Sequence, residues 1–114
     1  MLVSPNDVMK QGWQGQTTHT TDTTDKAMKA AGGAGQIIML TDILITNTSA
    51  TFTQIIIKSG STEIGRVPVP PTGGVTHRFA TPLETTANAA LNFAAANSLT
   101  SIFCTATGLV VTSV

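Results

Sequence analysis

The stretch QIIMLTDILIT, from Gln36 to Thr46, decides the fold of this chain. It is rich in β-branched residues, it follows a run of glycines, and it is short, so it predicts a β-strand and not a helix. Apolar side chains fall on both of its faces. One face carries Ile37, Met39, Ile43 and Ile45, and the other carries Ile38, Leu40 and Leu44. A strand that is apolar on both faces is covered on both. We therefore expect a central strand with the core on one side and a second cover on the other.

Short strand patterns separated by turn residues continue on both sides of this stretch. They run over residues 23–31, 51–58, 63–69, 73–79, 89–95, 99–105 and 109–114. About seven or eight short strands at such spacing predict an all-β chain, folded as a single jelly-roll-like β-sandwich of antiparallel strands over residues 23–114. Residues 85–97 are rich in alanine, which leaves a helix open as the alternative there.

Residues 1–22 have a different composition, with glycine, glutamine and threonine and few apolar side chains. This composition predicts an extended N-terminal arm outside the sandwich. Trp13 is the only tryptophan, and a tryptophan buries a large area when it docks. Two sites are open to it: its own domain or a neighbouring subunit.

The overall composition limits the possible partners. The chain has 114 residues, enough for one domain, and only 11% of them are charged, with six basic residues balancing six acidic ones. Nucleic acids and anionic membranes select clusters of Lys and Arg, which are absent from this sequence. Cys104 is the only cysteine, so no disulfide forms within the chain. The N-terminus does not read as a signal peptide, so we expect synthesis in a host cytoplasm.

The residues that carry chemistry do not form a recognisable site. His19 lies in the predicted arm, and His77 shares a strand face with apolar side chains, where a core or interface histidine is expected. Cys104 reads as a small buried residue. Asp22 and Asp25 supply too few ligands for calcium, and the glycines of 32–35 precede a strand and not a phosphate-binding helix. We expect no catalytic residue, no cofactor, no metal and no small-molecule substrate.

The sequence instead predicts an interface. Asp42 interrupts an otherwise apolar strand, and a buried carboxylate needs a partner. Arg78, Arg66 and Lys58 are the candidates, and solvent exposure is the alternative. The apolar side chains on the outer faces of two strands exceed what one core needs, which is typical of a contact surface. The candidate interface residues are Trp13, Ile38, Leu40, Asp42, Leu44 and Ile56.

The order of several segments resembles small jelly-roll proteins of tailed bacteriophage particles. The segments are a Gly-rich turn before TDILITN (41–47), SAT (49–51), Gly73-Gly74 followed by Phe79 and Pro82-Leu83, and ANAALN (87–92). The resemblance covers roughly residues 23 to 112 and does not extend to the arm. It implies a β-sandwich of a virion, either a capsid decoration (cement) protein, commonly trimeric, or a module of a tail or fibre protein. Such proteins have no catalytic residues to transfer.

The expected function is therefore that of a non-enzymatic capsid decoration protein. It would bind the major capsid protein at the surface of the virion as a homotrimer, with the arm gripping neighbouring subunits. The alternative is a receptor- or glycan-binding module of a tail or fibre. The shortage of aromatic residues weighs against glycan binding, because the four phenylalanines alternate into predicted core faces.

Overall fold

The computed structural model describes residues 8–98 and 100–113, which form eight strands and no helix. The expected all-β sandwich is confirmed. The strands are β1 (Val8–Thr20), β2 (Lys26–Lys29), β3 (Gln36–Asn47), β4 (Thr53–Ser59), β5 (Thr62–Val69), β6 (Gly73–Glu84), β7 (Leu91–Ala95) and β8 (Ser101–Ser113). Residues 1–7 of the predicted arm, Leu99 and Val114 lie outside the described residues.

The strands form two four-stranded antiparallel sheets. The first sheet has the order β1-β8-β3-β6 and the second sheet has the order β2-β7-β4-β5. Consecutive strands alternate between the sheets except for the β4–β5 hairpin, and this order is that of an eight-stranded jelly roll. Large side chains from both sheets, among them Leu40, Ile57 and Phe93, are fully buried between them. No helix that could span a membrane occurs in residues 8–98 or 100–113.

A β-bulge in β3 changes which of its residues face the core. Ile38 and Leu40 are buried before the bulge, and Ile43 and Ile45 are buried after it. The ladder with β8 advances by two residues on β3 for one on β8 between Leu40 and Asp42, so the inward positions change from even to odd numbers. The predicted outer face is therefore wrong for Ile38 and Leu40. A strict two-residue alternation cannot reveal an inserted residue.

The described part of the predicted arm is a strand of the sandwich. Residues 8–20 pair with β8 along their whole length, from Val8 opposite Ser113 to Thr20 opposite Ser101. The inward positions of this strand hold Trp13, Gly15, Thr17 and His19. Because three of these four residues are not apolar side chains, the sequence shows no alternation of apolar and polar residues that would predict a strand. A Cβ at Gly15 would lie 2.3 Å from the carbonyl oxygen of Met28, so glycine allows β2 to approach. The boundary expected at residue 22 thus falls between two strands of one sandwich.

The strand predicted over 89–95 is present as β7, and the alternative helix over 85–97 does not form. The alanine-rich stretch at 85–97 contains only the strand β7 and irregular backbone, because Leu91, Phe93 and Ala95 point into the core. The strand expected over 23–31 is limited to Lys26–Lys29. The glycine run before β3 is a turn, as expected: Gly33 and Gly35 have positive φ, and Gln36 N–H donates to the Gly33 carbonyl oxygen at 3.2 Å.

Candidate interaction surface

The structure separates the predicted interface residues. Ile38 and Leu40 belong to the core, and Trp13 is partly buried against it. Ile56 lies on the outer face of the second sheet, since its neighbours Ile55 and Ile57 point inward. Only Asp42 and Leu44 share a surface, the outer face of the first sheet. Trp13 thus packs against its own domain, which was one of the two sites that the sequence left open.

Leu44 is part of an exposed apolar patch on this face. Leu44 is 49% exposed and Phe103 is 51% exposed. Leu44 pairs with Thr105, and Phe103 pairs with Thr46, so the two apolar side chains are diagonal neighbours on β3 and β8. We call Leu44, Phe103 and their surrounding threonines the outer patch. The threonines are Thr46, Thr76, Thr105 and Thr107.

One ion pair lies beside the outer patch. Arg78 Nε donates to Asp42 Oδ1 at 3.0 Å, and the two residues are directly opposite each other on β6 and β3. Their side chains are 84% and 42% exposed, so the pair contributes at most about 1 kcal/mol to stability. A depression of about 390 Å³ lies between this pair, Leu44 and the threonines of β6 and β8. The partner of Asp42 is thus Arg78, since Lys58 pairs with Asp25 and Arg66 pairs with Glu63.

Charge is distributed unequally between the two sheets. Residues 11–20 of β1 and 101–113 of β8 contain no Asp, Glu, Lys or Arg. The other ion pairs of the described residues lie on or beside the second sheet. They are Lys26–Asp22, Lys58–Asp25 and Arg66–Glu63. The two strands that carry Leu44 and Phe103 therefore hold few charged residues, since β8 has none and β3 has Asp42 alone.

Phe103 is the member of the outer patch that sequence reasoning missed. We expected all phenylalanines on core faces, but Phe103 and Phe52 are each about half exposed. In β8, the small residues Cys104 and Ala106 point inward and the larger Phe103 points outward. The expectation that the larger residues of β8 face the core was therefore wrong for Phe103. The alternation of Phe103 with Thr105 and Thr107 was the available signal, because a row of threonines marks a solvent face.

The histidines and the cysteine do not form a nucleophilic site. Cys104 is buried, as predicted, and burial raises the pKa of its thiol to about 12, with a hydrogen bond to Thr17 acting in the opposite direction. A thiol in that state is not a nucleophile near neutral pH. His77 is exposed and stacks edge-on against Phe79, with ring centroids 4.5 Å apart. The described residues contain no group of three or more His, Cys, Asp or Glu side chains placed to hold a metal ion.

His19 differs most from expectation, because it is fully buried and not part of a flexible arm. Its Nε2 lies 2.9 Å from Thr17 Oγ1. Burial lowers the pKa of the imidazole, the charge of Lys26 lowers it further, and Asp22 acts in the opposite direction.

No protein-family model matches the chain, and no curated protein sequence matches it. Among solved structures, the fold is similar to that of the Drosophila NLP core, described for pentamer formation and histone binding. The TM-score is 0.53 at 14% identity, over 84% of this chain and 96% of the other. A protein of the infectious bursal disease virus Gx strain matches with a TM-score of 0.46 at 11% identity, over 93% and 31%. A Bacillus endospore appendage protein matches at 0.45 and 14%, over 100% and 96%. Such low identity limits the likeness to the fold.

Proposed function

We propose that this chain is a structural protein of a tailed-phage particle, a capsid decoration protein that binds the major capsid protein as a homotrimer. The observation that carries the proposal is the outer patch, an exposed apolar area on the outer face of the first sheet of a jelly roll. Its place is the capsid surface of the virion. It acts by burying surface and not by catalysis, and it needs no cofactor, nucleic acid, membrane or small-molecule substrate.

The exposed side chains of the outer patch suit a contact that is repeated several times. Full burial of a Leu or Phe side chain is worth about 1.5–3 kcal/mol, and each of Leu44 and Phe103 is already half buried. Completing the burial of both therefore yields about 1.5–3 kcal/mol per subunit. One such contact is weak, but three subunits joined in a trimer add their contacts through effective concentration.

The surroundings of the outer patch suit a protein contact. The threonine hydroxyls of Thr46, Thr76 and Thr105 can exchange hydrogen bonds with water for hydrogen bonds with a partner at little cost. The Asp42–Arg78 pair stands at the rim, where a charge affects orientation more than affinity. Ile56 is on the opposite sheet and is not part of the proposed contact.

The test is to measure the mass of the full chain by light scattering and then its sedimentation with capsids that lack it. We expect a trimer that co-sediments at a fixed ratio to the major capsid protein. Phe103→Ser should weaken capsid binding or trimer formation by about tenfold or more. Phe52→Ser is the matched control, because Phe52 is equally exposed but precedes β4 in the second sheet.

A stable monomer that does not co-sediment with capsids would overturn the proposal. It would instead favour the tail or fibre module that binds a receptor or glycan. The depression beside Asp42 and Arg78 would then be the place to search for the ligand. Equal loss of capsid binding in both serine variants would contradict the assignment of the outer patch.

A further inference from the structure

His19 occupies an unusual position for an ionisable side chain. It is 0% exposed, on the inward face of the edge strand β1. Nε2 lies 2.9 Å from Thr17 Oγ1, while Nδ1 is buried and has no hydrogen-bond partner among the described residues. A neutral imidazole can leave Nδ1 without a proton, and a buried unpaired acceptor costs less than the buried unpaired N–H of a charged ring. An imidazolium would carry a proton on both nitrogens, and the proton on Nδ1 would have no acceptor.

Most of the groups that face the ring also disfavour its charge. On β8, Ile102 lies directly opposite His19, and Cys104, whose thiol is protonated, lies opposite Thr17. The inward side chains of β7 are apolar. Strand β2 offers the ammonium of Lys26, and the turn between β1 and β2 offers the carboxylate of Asp22.

Lys26 and Asp22 are held in place by their own contacts. Lys26 Nζ donates to the carbonyl oxygen of Thr18 at 2.6 Å and lies 3.4 Å from Asp22 Oδ2. The ammonium is therefore fixed beside the end of β1, where it repels a charged His19 ring. Asp22 is the only anionic group among those facing the ring, and it is partly neutralised by Lys26.

We propose that His19 is an acid-sensitive latch: its neutral ring keeps β1 paired with β8, and protonation of the ring releases the strand. Release of β1 is the expected response because β1 is an edge strand, paired with β8 alone. An opened β1 brings the imidazolium into water and leaves the rest of the sandwich paired. The opened state exposes one edge of β8, which can then pair with another strand. This inference does not depend on the proposed virion function.

The direction of the pH effect follows from the states compared. The closed state binds the proton less readily than the opened state, where the ring has its ordinary pKa near 6.5. Above that pH the ring is neutral in both states, and the latch is fully closed. As the pH falls below about 6.5, the equilibrium constant for opening rises by up to tenfold per pH unit, until the ring of the closed state also titrates.

The test is hydrogen exchange of the full chain at pH 7.5 and 5.5, with protection factors corrected for the intrinsic exchange rate. The β1 amides that donate to β8 should lose protection by about threefold to tenfold, while the β3–β6 ladder keeps its own. His19→Gln should remove this response, because glutamine still reaches Thr17 and does not titrate. His77→Gln is the matched control, since it removes the other, exposed histidine and should leave the response unchanged.

Two variants of the neighbouring charges keep the proposal testable if His19→Gln does not fold. Lys26→Gln should weaken the acid response, and Asp22→Asn should strengthen it. If Lys26 and Asp22 affected folding alone, the two variants would not change the acid response in opposite directions. Protection of β1 that is independent of pH in the unmodified chain, or an acid response that survives in His19→Gln, would overturn the latch.

Discussion

Two leucines of β3 provide the sharpest test of the fold. Leu40 and Leu44 are four residues apart, so an uninterrupted strand places both on the same face. The bulge between Leu40 and Asp42 separates them instead: Leu40 is 0% exposed in the core and Leu44 is 49% exposed on the outer face. We compare Leu40→Ala with Leu44→Ala, which remove the same atoms from the same strand.

The expected losses of stability differ severalfold. Leu→Ala removes about three carbon groups worth about 0.8 kcal/mol each when fully buried, or about 2.4 kcal/mol. At Leu40 the cavity left behind adds to this, so the total should be about 3–5 kcal/mol. At Leu44 about half of the transfer term is lost and no enclosed cavity forms, so the total should be about 1 kcal/mol.

Urea or guanidinium unfolding, followed by circular dichroism, measures both losses. The subunit concentration must be held fixed, because assembly adds concentration-dependent stability. Leu40→Ala should lower the unfolding midpoint clearly more than Leu44→Ala, with an unchanged slope. Equal losses in the two variants would refute the bulge and restore the face predicted by simple alternation.

Two further predictions concern the interior of the first sheet. Gly108→Ala should destabilise the fold by about 1–3 kcal/mol, since its Cβ would lie 1.9 Å from the Met39 carbonyl oxygen. Gly12→Ala is the control, because the atom nearest to its Cβ is 3.9 Å away. Equal melting temperatures of the two variants would contradict this prediction. Cys104, with a pKa of about 12, should react with iodoacetamide at pH 8 roughly a thousandfold more slowly than in the unfolded chain. Mass spectrometry of native and denatured samples measures the two rates, and comparable rates would show that the thiol is not buried.

The strand content was predictable because local signals agree along most of the chain. Many residues of β3 and β4 are β-branched, and glycines, asparagines and prolines mark the turns between strands. The alternation around Leu91 and Phe93 correctly indicated a strand, although alanine favours helices. In that stretch, the burial of large side chains against the opposite sheet outweighs the helix propensity of alanine.

The outer patch was predictable only in part. Leu44 was expected on an outer face, but the bulge removes Ile38 and Leu40 from that face, and the pairing that places Phe103 beside Leu44 joins distant strands. Thr41 is the inserted residue that shifts the register of β3. No local property distinguishes it from the threonines that leave the register of a strand unchanged. Strand β1 was missed for a related reason. Its inward positions include Gly15, Thr17 and His19. The last two become buried only when β1 pairs with β8 and β2 of the opposite sheet packs against it.

The pairing of β1 with β8 has a consequence for the way this domain folds. The ladder joins Thr20 to Ser101 at one end and Val8 to Ser113 at the other, so these contacts have high sequence separation. Loop-closure entropy opposes them, and chains with high contact order fold slowly. During synthesis β1 leaves the ribosome long before its partner and stays unpaired, with Lys10 as its one Asp, Glu, Lys or Arg residue. We expect chaperones to matter most for this strand, which is the earliest of the described strands to be made and among the last to find its place.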